Sequence, residues 1–194
     1  LFLMENLVKQ VEELRKGEVS KVIKERLSEF EGTEDLFNEL CFCLMTANFR
    51  AEKCIEIQKE IGDGFKTLGQ EELAAKLKEM GHRFWPQRAE RIVLARDLEI
   101  EKDRDWLVEN VKGLGMKEAS HFLRNVGVKD VAIIDFHIVD LLVREGVIER
   151  PRAINKGKYL EIENVLKDIG RRLEMSLAEL DLYLWYAETG RVLK

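Results

Sequence analysis

The chain has 194 residues and a net charge of −5, with 45% of its residues hydrophobic and 36% charged. That length suits one domain or two small lobes able to bury a core without disulfide or metal support. The composition excludes a disordered chain, and no apolar run approaches the roughly 18 residues that a membrane-spanning helix needs.

In chain order, Leu1 to Lys9 show no basic region followed by a long apolar stretch, so no secretory signal is expected. Thr33 is read as a helix N-cap, with Glu34 and Asp35 in the first turn. Leu36, Leu40, Leu44 and Phe37, Cys41, Met45 then recur four apart and make one broad apolar face. Cys41, Cys43 and Cys54 fit neither an ordinary bridge nor a zinc site. They predict buried free thiols in a reducing, cytoplasmic setting. Pro86 opens a helix carrying Ala89, Ile92 and Val93. Val131–Ile134 is strand-like but too short for a sheet, and a helix is predicted over Phe136–Arg144. A further helix runs through Tyr159, Ile162, Val165, Leu166 and Ile169 and is closed by Gly170. Leu177–Ala187 is apolar nearly all round, as a buried helix or one with an aromatic functional face would be. The pattern predicts an all-α protein of about ten helices.

Charge is unevenly placed. Arg150–Arg172 holds seven basic residues against three acids, a local +4 on an acidic chain. Such a stretch is either a basic binding face or a solvated helix face.

One segment carries chemistry: Val111-Lys-Gly-Leu-Gly-Met-Lys-Glu-Ala-Ser-His-Phe-Leu-Arg-Asn-Val-Gly127. Gly113 and Gly115 flank one apolar residue, Leu114, directly before a helix that Gly127 closes. Glycines allow positive φ and close backbone approach, and the amides at the mouth of a helix suit a phosphate. The same spacing also serves a plain turn between helices. It is not a dinucleotide fingerprint, because no strand precedes it, nor a P-loop, because its glycines are too close. Lys117 falls in the first turn of the new helix, where a cation is disfavoured, and a neutral lysine amine is a nucleophile that forms Schiff bases. Asp135 emerges from the apolar run at the start of the next helix, either as a simple N-cap or as a functional carboxylate.

Gly113-Leu-Gly-Met-Lys117, Ala119-Ser120 and Asp135-Phe-His137 together resemble the helix-hairpin-helix signature of base-excision DNA glycosylases. Leu44-Met-Thr-Ala-Asn-Phe-Arg50 extends the likeness to the element that fills the gap left by an extruded base. The lysine is similar to that of members that also cleave the strand. With no cysteine after Cys54, the four-cysteine iron–sulfur cluster of the endonuclease III branch is not expected. The short chain is most similar to the compact second subfamily of 8-oxoguanine DNA glycosylase/lyases, found in archaea and some bacteria.

The resemblance implies a two-lobed fold, with one lobe at 34–127 holding the hairpin at about 103–126 and the other formed by 1–33 with 128–194. The active site is expected in the cleft between them. It implies Lys117 as the Schiff-base nucleophile and Asp135 as the carboxylate that stabilises charge on the sugar. Gly113, Gly115 and His137 would hold the DNA backbone. Main-chain carbonyls of Glu109, Val111 and Leu114 would hold a monovalent cation, with no catalytic metal. The carboxylate of Lys194 would read the oxidised purine, and Trp185 would stack on it. Asn48 would fill the gap. His82, Arg83, Phe84 and Arg88 form a basic and aromatic cluster that either touches DNA or the lesion pocket or is a solvated loop. The implied partner is damaged double-stranded DNA, met by a monomer in the cytoplasm and at the nucleoid. Two rival functions are a glycosylase/lyase for oxidised pyrimidines and a non-catalytic helix-hairpin-helix module.

Overall fold

The structure is a computed structural model that describes residues 2–194; Leu1 lies outside them. Among the described residues there are twelve helices and no strand, so the all-α expectation holds. The chain opens with α1 (Phe2–Arg15) and α2 (Val19–Glu31). It continues with α3 (Leu36–Thr46), α4 (Ala51–Ile61), the single turn α5 (Gly64–Thr67), α6 (Gln70–Glu79), α7 (Trp85–Ala95), α8 (Arg104–Asn110) and α9 (Met116–Asn125). It closes with α10 (Phe136–Arg144), α11 (Lys156–Leu173) and α12 (Leu177–Thr189). The helices beyond the ten expected are short, as α5 with four residues shows. No helix among the described residues is long and apolar enough to cross a membrane.

The chain divides into two compact units, Thr33–Val126 and the residues up to Gly32 together with Gly127–Lys194. The middle unit, Thr33–Val126, is built around α3. Every residue from Leu40 to Met45 is fully buried, because α4, α7 and α9 cover α3 on all sides. Its N-cap is Asp35 rather than Thr33: the carboxylate accepts the Asn38 amide at 3.1 Å and also pairs with Lys66, a fit that a threonine two residues earlier lacks. The three thiols are buried and free, and burial pushes Cys54 up to about 12 and Cys41 higher still, so they serve as core. A buried polar chain ties the end of α9 to α3 and α4. Arg124 Nη2 donates to Asn125 Oδ1 (2.9 Å), Asn125 Nδ2 to Glu39 Oε1 (2.7 Å), and Gln58 Nε2 to Glu39 Oε2 (3.2 Å). It balances the buried charges of Glu39 and Arg124, which neither helix could bury alone.

In the other unit, α11 runs on to Leu173, and Gly170 lies inside it instead of closing it. The chain folds back after Glu174 (φ +52), the Met175 amide bonds the Gly170 carbonyl, and a Cβ at position 170 would meet the Met175 carbonyl oxygen at 2.9 Å. The close return of the chain is therefore the reason for this glycine. The Arg150–Arg172 stretch is a solvated helix face and loop: Arg150, Lys158, Lys167 and Arg171 each pair with a nearby acid.

The extended run Val131–Ile134 has no partner strand, yet its backbone is not left unpaired. Ala132 and Ile134 point inward onto α11. The Tyr159 hydroxyl donates to the Ala132 carbonyl (2.7 Å) and accepts the Ile134 amide (3.1 Å), while the Ala132 amide donates to Glu163 Oε2 (2.9 Å). Tyr159 and Glu163 sit one helical turn apart, so α11 supplies both side chains from one face. Tyr159→Phe leaves two buried backbone groups without a partner. The variant is expected to lose about 1–3 kcal/mol of unfolding free energy in urea melts.

Candidate active site

The helix-hairpin-helix lies wholly in the middle unit. After α8 the chain reverses at Gly113 (φ +95), where the Leu114 amide bonds the Val111 carbonyl at 3.1 Å and the Leu114 side chain is buried as the turn's anchor. Gly115 is the N-cap of α9. It has no side chain to cap with, so Glu118, three residues on, reaches back and accepts the Gly115 amide at 3.3 Å. Its other oxygen lies 3.1 Å from Lys117 Nζ. Lys117 is thus held in the first turn of α9, half-exposed, with one carboxylate beside its amine and the positive end of the helix beneath it. Glu118 was missed at the sequence level, although Gly115-x-x-Glu118 has the spacing of half a capping box.

Asp135 belongs to the other unit, as the N-cap of α10. Oδ1 accepts the Ile138 amide at 2.9 Å, and Oδ2 has no hydrogen bond to the described residues. Asp135 is therefore both cap and available acceptor, with its position fixed by the clamped run before it. His137 is the second residue of α10, its ring 3.9 Å from the exposed Phe136 and edge-on to Trp185 at 5.0 Å. The structure thus brings His137 and Trp185 together. Trp185 is half-buried, and its indole Nε1 has no hydrogen-bond partner among the described residues. Lys194 is half-buried at the end of the irregular segment after α12. Phe136 was not singled out in the sequence; an exposed aromatic next to Asp135 gives no periodic signal.

Asn48 occupies the turn after α3 in a left-handed conformation (φ +54) and is exposed. That turn is fastened from behind. Arg88, expected at a DNA contact, is only 3% exposed, and its Nη2 donates to the Ala47 carbonyl at 2.7 Å. The His82 Nε2–H donates to the Met45 carbonyl (2.9 Å), while Nδ1 accepts the Phe84 amide (3.2 Å). Phe49 packs on the His82 ring, and Arg83 lies exposed over Phe84 at 4.5 Å. Of the basic and aromatic cluster, Arg83 reaches solvent, while His82 and Arg88 position the turn that presents Asn48. Glu109 is exposed at the end of α8, two residues before Val111.

The fold is that of helix-hairpin-helix glycosylases: an endonuclease III–DNA complex superposes on 87% of this chain with a TM-score of 0.62 at 18% identity. The family profile for 8-oxoguanine DNA glycosylase matches residues 23–175, and the chain belongs to that family. It is similar to a Methanocaldococcus jannaschii protein named 8-oxoguanine DNA glycosylase/AP lyase, with 53% identity over 97% of this chain and 99% of that one. The crystal structure of that enzyme with a 15mer DNA containing 8-oxoguanine covers 97% of this chain and 99% of its own, with a TM-score of 0.91. The 8-oxoguanine DNA glycosylase of Thermotoga maritima matches with 46% identity, a TM-score of 0.91 and coverage of 98% and 100%.

Burial pushes the His82 imidazole below its ordinary 6.5. Protonation would also replace the Nδ1 acceptor with a donor facing the Phe84 amide. The unfolded chain therefore takes up the proton first, so this stability is complete above about pH 6.5 and declines as pH falls below it. The urea midpoint is expected to drop between about pH 7 and pH 5, and His82→Gln is expected to flatten that part of the profile.

Proposed function

We propose that this protein is a bifunctional DNA glycosylase/AP lyase that excises 8-oxoguanine from duplex DNA and then cuts the strand. The observation that carries the reading is the Lys117 amine in the first turn of α9, directly behind the Gly113 reversal. A module that only grips the backbone needs the glycines but not an amine there.

In the proposed reaction Lys117 Nζ, as the neutral amine, attacks C1′ of the extruded nucleotide, and the glycosidic bond breaks with its electron pair leaving on the base. The Glu118 carboxylate is an acceptor in place for the ammonium proton. Loss of the ring C–O bond gives an imine between Nζ and C1′. Removal of a C2′ proton then expels the 3′ phosphate by β-elimination. Asp135 Oδ2 is assigned to stabilise the positive charge that develops on the sugar and to move protons around the amine.

The remaining assignments follow the resemblance. Trp185 stacks on the base and Lys194 reads it; Asn48 fills the gap in the duplex, and Arg83 and Phe84 touch DNA beside it. Arg88, buried in the structure, acts through the Ala47 carbonyl. Gly113 and His137 hold phosphates. Gly115 contributes through the geometry of the turn, because its amide is engaged by Glu118. A monovalent cation on the Glu109, Val111 and Leu114 carbonyls fits the donor chemistry, since neutral oxygens suit such an ion and Val111 keeps a lone pair beyond its bond to Leu114. The protein is proposed to act as a monomer. Its buried free thiols support a reducing, cytoplasmic location.

Borohydride trapping on a duplex with 8-oxoguanine opposite cytosine tests the reading. Wild type is expected to give a damage-dependent covalent adduct, Lys117→Gln none, and Asp135→Asn an adduct formed roughly 10²- to 10⁴-fold more slowly. No adduct from wild type, with DNA binding retained, would return the reading to an oxidised-pyrimidine enzyme or a binding module.

A further inference from the structure

Arg91 is a cation that the roles above leave unexplained. It lies on α7, which crosses the hairpin turn: its neighbour Glu90 pairs with Lys112 at 2.9 Å. A Cβ on Gly113 would fall 2.6 Å from Arg91 Cδ, 2.7 Å from Nε and 2.9 Å from Cζ. The side chain therefore rests on the bare backbone of the reversal, with the guanidinium at the turn itself. It makes no hydrogen bond or ion pair with any described residue, whereas Lys66, Lys112, Arg150 and Arg171 all hold carboxylates.

A second guanidinium lies close by on the same helix. Arg88, one turn earlier on α7, is buried and bonded to the Ala47 carbonyl rather than to an acid. Burial first, and then the charge of Arg91, push the Arg88 guanidinium down from its ordinary value. The Glu118 carboxylate is engaged by the Gly115 amide and Lys117. Two guanidiniums thus lie close together on α7, and the nearest carboxylates, Glu90 and Glu118, are already engaged by Lys112 and by Lys117, so an incoming anion finds a cation at the turn with no ion-pair partner of its own. A guanidinium also presents paired donors that match two phosphate oxygens.

We infer that Arg91 binds a backbone phosphate of the DNA at the Gly113 turn, as a second grip beside the Gly113 backbone. The inference rests on the DNA-binding reading of the hairpin and adds a side chain to it. Such a contact positions the duplex and reads no sequence, so it acts on damaged and undamaged DNA alike.

The test is the affinity of the full chain for both duplexes across a salt series, with wild type, Arg91→Gln and Arg91→Lys compared. Arg91→Gln is expected to weaken binding to both duplexes and to lower the slope of log affinity against log salt by about 0.9, one phosphate contact. Arg91→Lys is expected to keep the slope. Equal slopes in all three proteins would overturn the inference. If Arg91→Gln lacks a cooperative thermal melt, Arg91→Met, which keeps the stem packed on Gly113, decides by the same slope. Borohydride trapping by wild type, run in parallel, separates the two claims. Trapping with an unchanged slope removes only the Arg91 contact, and a lowered slope without trapping removes only the enzyme.

Discussion

The reversal at Gly113 is the constraint on which the middle unit depends. Its positive φ and missing Cβ let α8 end and α9 begin within a few residues, with the Arg91 side chain lying where a Cβ would stand. Because the turn is so tight, Lys117 falls in the first helical turn, and Glu118 lands where one carboxylate serves both the Gly115 cap and the lysine amine. A residue with a side chain at 113 would displace Arg91 and strain the backbone together. The chemistry proposed at Lys117 and the grip inferred at Arg91 thus share one structural origin.

Two of the proposed site residues, Asp135 and Asn48, sit on short segments outside the helices, and buried polar side chains fasten each segment. Tyr159 and Glu163 hold the backbone of Ala132 and Ile134, which sets Asp135 at the mouth of α10. His82 and Arg88 hold the Met45 and Ala47 carbonyls, which sets the left-handed Asn48 in place. An apolar contact tolerates sliding. A hydrogen bond to a specific carbonyl does not, and leaving it unmade in the interior is costly. The buried polar groups are where this fold stores positional accuracy.

Much of this was legible in the sequence. Gly113, Gly115 and Gly127 bracket α9 as observed, Phe136–Arg144 is the predicted helix, and the resemblance to the glycosylases rested on residues the fold sets in the hairpin and at the start of α10. What escaped was long-range. Arg88 reads as a surface cation because its carbonyl partner lies 41 residues away, and Glu163 reads as a helix-face acid because the Ala132 amide lies 31 residues back. Gly170 looked like a stop signal because the returning chain that requires its bare Cα is a tertiary feature. The basic Arg150–Arg172 run leaves a binding face and a solvated helix face open in sequence, and its ion pairs decide for the solvated face. Periodicity reports which face a helix buries, and it is silent about which distant backbone group a polar side chain meets.

The central claim, that the Lys117 amine is the atom that becomes bonded to the sugar, is tested most directly by mapping the reduced adduct. Wild-type protein is trapped on 8-oxoguanine duplex, digested, and the nucleotide-bearing peptide sequenced by mass spectrometry. The account predicts the modification on Lys117, in the peptide that opens α9. A modification on another lysine, or on the N-terminal amine, would contradict it.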